Sequence, residues 1–141
     1  MSDTQTTTQI TQAGTVFVPV ADQDRAIDFY ADKLGFEKRS DFVYAGDVRW
    51  VEMVPPGAAT SVSLVAAGNG QAAGIETRVA LVTADVEADH ARLRSLGVDV
   101  GEIIREGDPV QVWAGAVLGG IPPMFLLRDL DGNSYLVVAA L

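Results

Sequence analysis

The chain repeats itself, and the repeat limits what it can fold into. Residues 16–22 read VFVPVAD and residues 79–85 read VALVTAD, each a strand pattern ending on an aspartate. A helical segment follows each aspartate, QDRAIDFYADKL after Asp22 and VEADHARLRSL after Asp85. Both segments close on Leu-Gly, at Leu34-Gly35 and Leu96-Gly97, and a β-prone stretch comes next, FEKRSDFVY in one half and VDVGEII in the other. Asp22 and Asp85 suit N-caps, because their carboxylates accept bonds from backbone N–H groups that a first helical turn leaves unpaired. Acidic residues follow in each first turn, where the helix dipole favours them. Gly35 and Gly97 suit the left-handed position that ends a helix.

The halves also end alike. Residues 50–67, WVEMVPPGAATSVSLVAA, read as strand, Pro-Gly turn and strand. Residues 122–140, PPMFLLRDLDGNSYLVVAA, read the same way around Asp131-Gly132-Asn133, a sequence that tolerates the positive φ angles of a hairpin. Each half is therefore β-α-β-β-β. The expected fold is α+β: two βαβββ modules forming a curved, mostly antiparallel eight-stranded sheet around a groove, with the helices outside. The expected boundaries are a flexible tail at 1–13, a first module at 14–67, a Gly/Ala-rich linker at 68–77 and a second module at 78–141.

Composition narrows the function classes. A length of 141 residues with 48% hydrophobic residues can fill one core. The net charge of −9 disfavours nucleic acid and anionic membranes as partners. The absence of cysteine excludes disulfides, thiolate metal sites and cysteine nucleophiles. No apolar run is long enough to span a membrane, and the Ser/Thr/Gln-rich N-terminus has no signal-peptide pattern, so the expected location is cytoplasmic.

The stretches VPVADQDRAIDFYADKLGFE and FLLRDLDGNSYLVV resemble the vicinal oxygen chelate superfamily of glyoxalases, bleomycin-resistance proteins and dioxygenases. The second stretch is similar to that family's Asp-Pro-Asp-Gly-Asn hairpin, with Leu130 in place of the proline. The resemblance spans nearly the whole chain outside the tail. It implies metal ligands on the first and last strands of each half, the first about seven residues before the capping aspartate. Carried onto this sequence, those positions are Thr15, Ser63, Arg78 and Leu136. None is a good ligand for a divalent cation, and an arginine stays protonated and cannot coordinate. The single histidine, His90, falls on the second helix, away from the groove. No metal and no cofactor is expected. The resemblance also implies a homodimer, with modules pairing within one chain or across two.

Strand alternation assigns faces. Val16, Val18 and Val20 pack under the helices while Thr15, Phe17 and Pro19 face the groove. Val79 and Leu81 pack while Arg78, Ala80 and Val82 face it. Ser63 and Leu136 share the groove side. Trp50, Trp113 and Phe125 are aromatic candidates to stack on a flat ligand, with core or interface positions as the alternative. Arg78 can pair with an acidic group on a ligand, or with Glu52 or Glu76. Glu52 is a weak candidate base, provided desolvation raises its pKa; a solvated strand acid is the alternative. The glycine-rich segment 106–123 reads as a lid or a subunit contact. Catalytic residues cannot be named. The leading functional reading is a protein that binds a small organic molecule in its groove without metal. Two others stand beside it: a superfamily enzyme (lyase, isomerase or dioxygenase) with a non-standard metal site or a metal-free acid/base pair, and a non-catalytic interaction module.

Overall fold

The computed structural model describes residues 7–68, 70–105, 110–111, 117–118 and 122–140. The first module runs β1 (Thr15–Val20), α1 (Gln23–Asp28), β2 (Glu37–Tyr44), β3 (Val48–Val54) and β4 (Ser61–Ala66). The second runs β5 (Glu76–Thr83), α2 (Val86–Ser95), β6 (Asp99–Val100), β9 (Met124–Arg128) and β10 (Ser134–Ala139). A short antiparallel pair, β7 (Val110–Gln111) with β8 (Val117–Leu118), is inserted between β6 and β9.

The helix ends follow the capping chemistry. Asp22 accepts from the Arg25 N–H at 3.1 Å and Asp85 from the Ala88 N–H at 3.0 Å. Helix α1 continues as a π-helical turn over Phe29–Lys33. Gly35 and Gly97 have φ of 75° and 79°, a region where a side chain would be strained.

Both sheets have the same topology, β1-β4-β3-β2 and β5-β10-β9-β6. In each, the module's first and last strands pair in parallel and the remaining pairs are antiparallel. The fold is thus α+β with two βαβββ modules, and the eight module strands form two separate four-stranded sheets. Strand β1 is a free edge of its sheet. Pro19 has no N–H to offer a neighbouring strand, and its carbonyl accepts instead from the Asn133 side chain at 2.9 Å. Strand β5 begins at Glu76, inside the stretch expected as linker.

The sheets share one hydrophobic cluster on their helix-bearing sides. Val18 and Val20 of β1, Tyr30 beyond α1, Leu93 of α2, and Phe125 and Tyr135 of the second sheet all belong to it. A buried polar network sits at its centre. The Tyr30 hydroxyl donates to Asp129 Oδ2 at 2.7 Å and lies 2.7 Å from the Tyr135 hydroxyl. Burial, then the neighbouring Tyr135 and Asp129, raises the Tyr30 pKa well above its ordinary value. Asn133 is fully buried and ties four partners together. No helix among the described residues is long and apolar enough to cross a membrane.

Candidate ligand-binding face

Packing the helix-bearing sides together leaves the opposite side of each sheet open. On the first sheet this open side carries the residues that alternate with the core. Val18, Val51 and Met53 point inward, while Phe17 and Trp50 point outward, and Phe17 is 59% exposed. Phe42 lies opposite Trp50 in the β2–β3 ladder and Tyr44 opposite Val48, so both share this side. The rings form a chain: Phe17 to Trp50 at 5.7 Å, Trp50 to Tyr44 at 6.3 Å and Tyr44 to Phe42 at 6.3 Å between centroids. Phe42 is 53% exposed. A contiguous set of aromatic rings is unusual on a solvated surface and makes this side a candidate binding face.

Beside the rings lies a polar cluster. Thr15 and Ser63 hydroxyls are 2.7 Å apart, and the Ser61 hydroxyl donates to Thr15 Oγ1 at 2.8 Å. Arg39 donates to the Ser61 hydroxyl at 3.0 Å, to Glu52 Oε1 at 3.0 Å and to the Ala59 carbonyl at 2.8 Å. Ser40 donates to the same Glu52 oxygen at 3.2 Å. The β2–β3 register slips between Lys38 and Ser40. Such a bulge turns consecutive side chains to one side, so Arg39 and Ser40 both reach Glu52. Regular alternation would have sent Arg39 to the other face, and sequence reasoning therefore missed it.

Glu52 is not poised as a base. Partial burial pushes its pKa up, but the Arg39 guanidinium, with Ser40 and Trp50, outweighs that and holds the carboxyl below its usual value. The condition that would have made it a base, a raised pKa, is not met.

The positions where the family resemblance implies metal ligands can be tested against this geometry. In the first module, Thr15 and Ser63 spend their hydroxyls on each other, and a guanidinium bonds to the adjoining Ser61. In the second, Leu136 is buried and apolar, and Arg78 is a cation. No group of three or more His, Asp or Glu side chains able to hold a metal occurs among the described residues. These residues do not fit a divalent metal centre.

The second sheet's open side is plainer. Arg78, Ala80 and Val82 of β5 are exposed, while Val79 and Leu81 pack on the core. Arg78 reaches Glu76 at only 3.7 Å, with both side chains largely exposed, so the pair is weak. Phe125 does not belong to this face. It is 0% exposed, sits in the core cluster and meets His90 edge-on at 5.0 Å. The cause is strand parity: Phe125 lies opposite Val137, another core residue, and Leu126 takes the open side opposite Leu136. His90 is buried on α2, with Nε2 2.8 Å from the Gly101 carbonyl. Trp113 and most of segment 106–123 lie outside the described residues.

A charged clamp holds the aromatic hairpin from behind. Arg49 grips Asp41 through Nε and Nη2, both at 2.8 Å, and Asp24 through Nη1 at 2.7 Å. Bonds first from Arg49 and then from Lys38 hold the Asp41 carboxyl far below the usual carboxylate range. A depressed folded pKa gives stability that is present above the unfolded value near 4 and is lost as pH falls through the folded value. Arg49→Gln is therefore expected to cost on the order of 1 kcal/mol at pH 6. The difference from wild type should shrink as urea denaturation is repeated at pH 4, 3 and 2. A difference that stays constant across that series would show that the clamp does not carry the pH dependence.

Comparison with known proteins fits this construction. The family model for the glyoxalase/bleomycin resistance protein/dioxygenase superfamily matches residues 12–134. TnmS3, an antibiotic binding protein from Streptomyces sp. CB03234, superposes with a TM-score of 0.75 at 29% identity, covering 96% of this chain and 100% of its own. A superfamily member from Sphaerobacter thermophilus gives 0.78 at 29% identity, covering 94% and 100%. The uncharacterized Bacillus subtilis protein YetH is 29% identical over 131 residues, 91% of this chain and 98% of its own length. With matching module topology, a family match across both modules and neighbours of the same build, the chain belongs to the glyoxalase/bleomycin resistance protein/dioxygenase superfamily.

Proposed function

We propose that this chain binds a flat aromatic small molecule on the open face of its first module, without a metal centre. The observation that carries the reading is the open-face chain of rings Phe17–Trp50–Tyr44–Phe42, with Trp50 partly buried at its middle, beside a polar cluster that satisfies itself. Rings held by one another and by the Arg49 clamp are preorganised, so stacking a ligand orders little that is not already ordered. The likeness to an antibiotic binding protein supports the class of activity. Catalysis through Glu52 is not favoured, because a carboxylate paired with Arg39 is a weakened base.

Titration with a panel of planar aromatic compounds, followed by tryptophan fluorescence, tests the reading. Saturable quenching that weakens about tenfold in Phe17→Ala is expected. No saturable change across the panel would count against it.

The second part of the proposal is a homodimer. A single chain leaves both open faces uncovered, and a second copy would set one against the other and close a groove between them. Sedimentation velocity at micromolar concentration should show two chains per particle. A monomer at that concentration would contradict this part.

A further inference from the structure

We propose that Arg78 is an oxyanion receptor on the second module's open face, so that the aromatic ligand of this protein carries a carboxylate. The inference rests on the aromatic-face and homodimer readings and names the class of the ligand.

The backbone around Arg78 is the first observation. Strands β5 and β10 pair Glu76 with Ser134 and Ala80 with Leu136, so three residues of β5 face the single residue Tyr135. The Thr77 side chain fills the break: its hydroxyl donates to the Ser134 carbonyl at 2.7 Å and accepts from the Val79 N–H at 3.2 Å. Arg78, at the middle of this bulge, has φ of 60°, a conformation that L side chains rarely adopt. Strain of this kind persists only where the surroundings impose it, and it concentrates at binding sites.

The second observation is where the bulge puts the charge. Arg78 stands at the position in β5 that Thr15 holds in β1, one face-alternation away from the residue opposite the last strand: Phe17 opposite Ser63, Ala80 opposite Leu136. In the first module that position is locked in hydroxyl bonds; in the second it is a guanidinium with 62% of its side chain exposed. The ladder pair that follows it is apolar, Ala80 with Leu136, and its acidic neighbour Glu76 is 3.7 Å away. The other cation on this side, Arg128, sits in register with Asp99 at the far edge. A fork of N–H donors next to an apolar strand pair fits a carboxylate through two parallel bonds. In the homodimer proposed above, setting the second module's open face of one copy against the first module's open face of the other would bring this fork toward the aromatic rings.

The test uses two probes of equal shape, 2-naphthoate and 2-naphthamide, titrated by calorimetry into the wild-type protein and Arg78→Gly. Glycine takes the left-handed conformation freely, so this variant relieves strain and keeps the fold, which an unchanged or raised Tm verifies. The wild type should bind the carboxylate at least tenfold tighter than the amide, and the ratio should fall to about one in Arg78→Gly. Equal affinities in the wild type, or a ratio that survives the substitution, would overturn the role of Arg78 while leaving the aromatic face standing. Binding of neither probe would overturn both readings.

Discussion

Asn133→Ala is expected to destabilise the protein by about 2–4 kcal/mol, because one buried and two partly buried backbone groups would lose their partner at once. The Asn133 carbonyl oxygen accepts from the N–H groups of Gly74 and Ile75 at 2.9 and 2.8 Å. Its amide donates to the Pro19 carbonyl and to Asp129 Oδ2, both at 2.9 Å. One side chain thereby joins the β1 edge, the approach to β5 and the second hairpin. An alanine cannot replace any of these bonds, and the Pro19 carbonyl and Asp129 Oδ2 are too enclosed for easy rescue by water. Domains of this size typically have only about 5–15 kcal/mol in total, so the loss is a large share. Urea denaturation should show a lower midpoint with one shared transition, since the core and this network belong to both modules. A loss under about 1 kcal/mol would show that the Asn133 bonds contribute little to holding the modules together.

Trp50→Ala is expected to reduce affinity for a planar aromatic probe by about thirtyfold or more, the effect typical of a central buried aromatic anchor. Trp50 is the ring that touches both Phe17 and Tyr44, so removing it breaks the chain of rings in the middle. Trp50→Phe retains an apolar ring and should fall between the two. Calorimetry reads the series directly. Equal affinities for the wild type and Trp50→Ala would place the ligand elsewhere, with the cleft of about 380 Å³ between Phe36, Leu81 and Arg92 as the next surface to map.

Much of the fold was legible because it is written in short-range chemistry. Capping aspartates, Leu-Gly helix ends and the Asp-Gly-Asn hairpin act within a few residues, and alternation separated Val18 and Val20 from Phe17 without any tertiary information. Alternation failed where the backbone departs from regular pleating. The bulge before Ser40 turned Arg39 onto the open face. Phe125, for which the sequence left both faces open, follows regular alternation into the core opposite Val137. The division into two sheets was not legible either. At the free edge of β1 the Pro19 carbonyl takes its bond from the Asn133 side chain, 114 residues away in sequence. Arg78 was recognisable as an odd residue at a ligand position, but the left-handed bulge that presents it was not.

The measurement that bears most directly on metal-free recognition is a calorimetric titration of chelator-treated protein with the tightest-binding aromatic probe. Affinity equal to that of untreated protein, with no stoichiometric metal by elemental analysis, is the expected result. Affinity that vanishes on chelation and returns with one equivalent of nickel, zinc, manganese or iron would contradict it.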